Sequence, residues 1–200
     1  MSRYTPARLA LLTVGCVVLG VGVGLLLTAD LGSDGYSTLV NGISRSSGVS
    51  FLWCNLAVSV AFLLLAAVRG LYPDVGTVVQ VVVVGATVAW VIDVLEIPES
   101  VTSQTAVLLV AFPVLAVGIA AYLGSNLGAG PAEAAALAWD PPLPFRWSYS
   151  FVQGGGAVAG WLLGAAIGPG TVAVVLLLGP AVDLAARVLR VNVTQGRAED

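Results

Sequence analysis

The chain has 200 residues, a formal net charge of −3 and a mean hydropathy of +0.98; 58% of it is hydrophobic, 24 residues are glycine, and 10% are charged. So few polar groups cannot cover the surface of a globule this size, which excludes a soluble domain, and the apolar content excludes a disordered chain. The apolar runs are continuous rather than alternating, so the fold class is an all-α membrane protein and not a barrel, and the small net charge gives no reason to expect a nucleic-acid partner.

A helix needs about 20 apolar residues to cross ~30 Å of hydrocarbon. On that measure six spans are expected, over residues 9–28, 51–68, 75–92, 105–123, 151–167 and 171–189. The first carries Cys16 and the pair Gly20 and Gly24, whose spacing of four residues lets another helix approach closely. Residues 34–46 then read as a short amphipathic helix, with Asp34 or Ser33 as cap, Tyr36, Leu39, Val40 and Ile43 apolar, and Ser37, Asn41 and Ser44 polar. The second span holds Cys54 and Asn55; both cysteines sit in apolar runs and read as small core residues. Gln80 lies in the third span, and Asp93, Glu96 and Glu99 in the loop that follows.

After the fourth span come Asn126 and a second short helix, residues 130–139, opened by Pro131 with Glu133 in its first turn. The fifth span is short, carries Gln153, and repeats glycine at Gly156, Gly160 and Gly164. In the sixth span Asp183 has Arg187 one turn away as a structural partner. Trp53, Trp90, Trp139, Trp147 and Tyr149 fall near span ends and read as interface anchors.

Arginine placement sets the orientation. With the N-terminus in the cytoplasm, seven of the eight arginines lie on that side, and only Arg45 lies outside. The expected location is thus the bacterial cytoplasmic membrane, multi-pass, with both termini cytoplasmic.

The halves of the chain match in order. Leu31-Gly32-Ser33-Asp34-Gly35 matches Leu127-Gly128-Ala129-Gly130-Pro131, and Val49-Ser50-Phe51 matches Tyr149-Ser150-Phe151. Val75-Gly76-Thr77-Val78 matches Pro169-Gly170-Thr171-Val172, and Gly85 matches Gly179. Three spans per half is an odd number, so the second copy enters the membrane from the opposite side, as an inverted repeat. The expected units are residues 1–100, 101–190 and a cytoplasmic tail, 191–200.

These motifs resemble those of the YczE/YyaS/YitT family of small bacterial membrane proteins. Leu127-Gly128-Ala129-Gly130-Pro131-Ala132-Glu133 and Ile167-Gly168-Pro169-Gly170-Thr171 carry the likeness; in the first half Gly35 replaces the family's proline and Ser37 its acidic residue. A large soluble C-terminal domain is not in the sequence, which points to the YczE-like branch. The resemblance implies transport or assistance to a membrane process.

Function is expected to reside in polar groups held inside hydrocarbon, where an ionised side chain costs ~2.5–3.5 kcal/mol on insertion scales. The pathway candidates are Glu133, Asp34, Ser37, Asn41, Gln80, Asn126, Gln153 and Asp183. Glu133 leads because no basic residue is near it in sequence. Either the two short helices lie on the membrane surface, or they are half-helices dipping toward the midplane with free N–H groups facing a cavity. The chain has no histidine, which removes the usual zinc and haem ligand and proton shuttle, and it shows no nucleophile, metal or nucleotide motif. No enzyme activity, metal or cofactor is therefore expected. A small-solute transporter is the main reading. An accessory membrane protein, or the capture subunit of an ATP-driven vitamin transporter, is the alternative. The expected partners are the bilayer, an unidentified small solute and, if a glycine face lies outward, a second copy of the chain.

Overall fold

The computed structural model describes residues 4–49, 51–96 and 98–193. Arg3, Ser50 and residues 194–200, among them Arg197 and most of the expected tail, lie outside the described residues.

Among the described residues the chain is helical, with no strand. The helices are α1 (Pro6–Thr28), α2 (Gly35–Ser47), α3 (Phe51–Val68), α4 (Val75–Val94), α5 (Val101–Gly124), α6 (Pro131–Leu137), α7 (Phe145–Leu162), α8 (Pro169–Ala173) and α9 (Gly179–Leu189). A π-helical turn, Val174–Leu178, joins α8 to α9. Four helices are long and apolar enough to cross a membrane: Pro6–Thr28, Val75–Val94, Val101–Gly124 and the continuous run Pro169–Leu189. Trp53–Val68 is apolar but shorter.

The expected spans fall on helices, but the fifth and sixth differ from the reading, and α7 ends at Leu162 rather than at 167. Helix α7 starts six residues before the expected 151, because Asp140 Oδ2 accepts the Phe145 N–H at 3.1 Å and Pro144 precedes the first turn. Arg146, Trp147 and Ser148 are polar or amphipathic and read as loop, yet they form that turn. The last span contains the π-helical turn, directly before Gly179-Pro180.

Glycine sets how closely the helices pack. Helix α1 crosses α5 where a Cβ on Gly22 would stand 2.7 Å from the Leu115 nitrogen, and Gly15 and Gly118 lie equally tight against Tyr122 and Leu19. On another side of α1, Gly20 meets Thr87 and Gly24 meets Val91 of α4. Helix α7 uses Gly156 and Gly160 against the backbone of α2, at Gly35 and Thr38. Gly164, expected on the same packing face, lies instead beyond the end of α7, where a Cβ would meet open space. Cys16 and Cys54 are buried free thiols.

The loop after α1 and the loop after α5 engage distant parts of the chain in the same way. The Leu31 carbonyl accepts from the Gly170 N–H at 2.8 Å, and the Leu127 carbonyl accepts from the Gly76 N–H at 2.7 Å. The glycine after each carbonyl has a positive φ, +103° at Gly32 and +130° at Gly128, and is pressed against Thr171 and Thr77 respectively. A side chain there would be strained and would also collide, so both positions require glycine.

Candidate functional site

Helix α2 starts at Asp34, whose Oδ2 accepts the Ser37 N–H at 3.0 Å. The next free donor of that turn, the Tyr36 N–H, goes to Gln153 Oε1 at 3.1 Å. A buried side chain of α7 thus completes the capping of α2, and Gln153 is only 2% exposed. Gly35 packs directly on the Gln153 backbone, which requires the absence of a Cβ.

Helix α6 starts differently. Gly130 has no side chain to cap it, and its own N–H donates to the Tyr122 hydroxyl at 3.2 Å. Gln80 of α4 presses on Gly130: a Cβ there would stand 2.6 Å from the amide carbon of Gln80. All seven residues of α6 are buried, including Glu133, which is 5% exposed. Tyr149 of α7 donates its hydroxyl to Glu133 Oε1 at 3.1 Å, and the Tyr122 hydroxyl faces the same carboxyl group.

The first turns of these two helices line one cavity of about 210 Å³. Asp34, Tyr36 and Ser37 come from the α2 end, and Pro131, Ala132 and Glu133 from the α6 end. Helix α3 contributes Asn55 and Ser59, α4 contributes Gln80, and α7 contributes Tyr149 and Gln153. The rest of the wall is apolar, from Leu19, Val23 and Leu26 on one side to Leu115, Ile119 and Leu178 on the other. Tyr36 anchors the α3 side through its hydroxyl, 2.9 Å from Asn55 Oδ1 and 2.7 Å from Ser59 Oγ.

Five of the eight pathway candidates therefore meet: Glu133, Asp34, Ser37, Gln80 and Gln153. Three do not. Asn41 is exposed on α2. Asn126 sits in the turn after α5 with φ +55°, away from the cavity. Asp183 is half-buried on α9, where it faces Arg146 of α7 as well as Arg187.

Tyr149 corrects the aromatic reading. It is 2% exposed, stacks on Phe145 with centroids 5.1 Å apart, and holds Glu133, so it is no interface anchor. Trp139 instead lies under the Arg69 guanidinium at 4.9 Å. The roles of Tyr36 and Tyr122 left no signal in spacing; both read as apolar helix residues until long-range contacts turn their hydroxyls to use. Among the described residues there is no cluster of three or more potential metal ligands.

These features define the class as a helical membrane protein with a cavity between its helices, into whose largely apolar wall several polar groups are set. A model of the DUF6198 family, a family of unknown function, matches residues 6–187, and the chain belongs to that family. An uncharacterized protein of Haemophilus influenzae is 26% identical over 179 residues, covering 88% of this chain and 81% of the relative. No solved structure matches the chain.

Proposed function

We propose that the protein is a small-solute transporter of the bacterial cytoplasmic membrane. Its architecture in this reading is six spans in two inverted three-span repeats with both termini cytoplasmic, as in the YczE-like proteins whose motifs it resembles. The observation that carries the proposal is the cavity shared by the first turns of α2 and α6, with Glu133 buried in its wall.

Several contacts support the repeat. The bonds Leu31 to Gly170 and Leu127 to Gly76 relate equivalent motifs reciprocally. The far ends of the short helices are tied alike: Arg45 in the last turn of α2 donates to the Gly164 carbonyl at 2.9 Å, and Arg69 after α3 donates to the Ala138 carbonyl at 3.2 Å. Helix α2 thus runs alongside α7 from Gln153 to the turn at Gly164 just past its end, about 15 Å at helical rise, or half of a bilayer's hydrocarbon. That length favours a half-helix over one lying on the surface.

In such a transporter the two halves rock about the site and expose it alternately to each side. Glu133 is the coupling group, and Ser37 occupies the equivalent place in the first half, so one carboxyl group serves one proton. The rest of the wall selects by shape and hydrogen bonding. No chemical step on the solute is proposed.

The test is flux in liposomes holding the purified protein and a pH-sensitive dye, with solutes added singly from a panel of amines, amino acids, sugars and organic acids. Solute-dependent proton movement is expected for the wild type. Glu133→Gln should keep the helical circular dichroism signal and monodispersity but lose proton movement at least tenfold. Undiminished proton-coupled flux in that variant would sink the mechanism. Binding without flux would favour a capture subunit, and the loss of both an accessory role.

A further inference from the structure

The charge on the cavity wall is of one sign. Among the described residues its ionisable lining groups, apart from tyrosine hydroxyls, are Asp34 and Glu133, and no arginine lines it. Arg45 and Arg69 are held at helix ends by carbonyls, and Arg146 lies over Trp147 at 5.6 Å. Asp34 also cancels the positive end of the α2 dipole that would otherwise draw an anion. The remaining polar wall, Ser37, Asn55, Ser59, Gln80 and Gln153, is neutral.

A hard metal ion fits this wall poorly. Calcium takes six to eight oxygen ligands and magnesium octahedral coordination, whereas Glu133 is already engaged by Tyr149 and most of the lining is aliphatic. A weakly hydrated organic cation fits better. Its alkyl skin suits Leu19, Val23, Leu115 and Ile119, its charge suits Glu133, and Tyr36 adds to the wall an aromatic residue of the kind that holds ammonium groups. The volume of about 210 Å³ lies below the ~300–1,000 Å³ usual for drug-sized ligands, which limits the guest to a few heavy atoms.

We infer that this cavity binds a small alkylammonium or quaternary ammonium ion, with Glu133 as its counter-charge and Asp34 as the second acidic group. The inference rests on the reading of the cavity as the solute site and names the class of solute. Because cation and proton compete for the same carboxylate, binding weakens as pH falls. The titratable groups facing Glu133 are Asp34 and Tyr36 at α2, Tyr122 on α5, Tyr149 on α7 and Cys16 on α1. The facing side chains of α3 and α4, Asn55, Ser59 and Gln80, do not titrate.

The experiment is calorimetric titration of the full-length protein in lipid nanodiscs. The probes are tetramethylammonium, choline, 3,3-dimethylbutanol (choline's uncharged isostere) and sodium, each measured across a pH series. Saturable binding of tetramethylammonium and choline is expected, at least tenfold tighter for choline than for its isostere, and weakening at low pH. Glu133→Gln should reduce choline affinity at least tenfold. The comparison of choline with its isostere on the wild type needs no variant, so a folding defect in Glu133→Gln leaves the test intact. Equal binding of the isostere, saturable binding of sodium alone, or no ammonium binding by folded protein overturns the inference. Ammonium binding without liposome flux upholds the cation site while removing the transport reading. Flux of a non-cationic solute without ammonium binding removes the cation class and leaves transport standing.

Discussion

Gln153 carries more of the site than its neutrality suggests. Its Oε1 takes the Tyr36 N–H, a donor with no intrahelical partner, and Gln153 itself is buried. Removing the amide leaves that N–H orphaned, and an unsatisfied buried donor costs ~1–3 kcal/mol. Gln153→Leu should therefore destabilise the protein by about that amount, read as a lower midpoint in thermal unfolding monitored by circular dichroism. Ser37→Ala, which removes a hydroxyl whose backbone N–H remains capped by Asp34, should shift the midpoint far less. Most polar residues of the site were legible in the sequence because polar groups are costly inside apolar runs and each needs a reason, though Ser59 was not singled out. The tyrosines were not, since a tyrosine in an apolar run is ordinary and only the fold aims the Tyr149 hydroxyl at Glu133.

At the level of elements, small residues decide the contacts. Gly160 presses on the Thr38 carbonyl and Gly42 on Gly160, so α2 and α7 meet backbone to backbone. Gly160→Leu inserts a side chain with no space to receive it, and overpacking costs ~1–3 kcal/mol. Its unfolding midpoint should fall well below that of Leu162→Ile, a change at a side chain 73% exposed on the same helix. Equal midpoints would mean that this contact is dispensable. The spacing of Gly156 and Gly160 announced a packing face, but their partner is a short helix and not another long span. The start of α7 was hidden because its first-turn cap comes from Asp140 across three prolines, and the π-helical turn because Val174–Leu178 is as apolar as any helix interior.

For the whole molecule, hydropathy made the helical membrane class legible, while the cavity emerges only when residues a hundred positions apart are folded together. Orientation is a separate matter that arginine placement addresses. In a background lacking Cys16 and Cys54, Glu96→Cys should react with a membrane-impermeant maleimide in intact cells, and Tyr72→Cys only after permeabilisation. Both positions are exposed. The reverse pattern would invert the proposed topology.

The bonds joining Leu31 to Gly170 and Leu127 to Gly76 bear on how the molecule comes apart. Each fastens a loop from one half of the chain to the start of a helix in the other, where fraying would otherwise begin. Neither half can loosen without releasing a clasp that the other needs, and α1 and α5 interlock through glycine contacts between the same two points. Repetition in a sequence often brings piecemeal melting, because each unit leans only on its neighbours. Here the mutual fastening predicts a single cooperative unfolding transition, and separately produced halves are expected each to lack the surface on which the other completes itself.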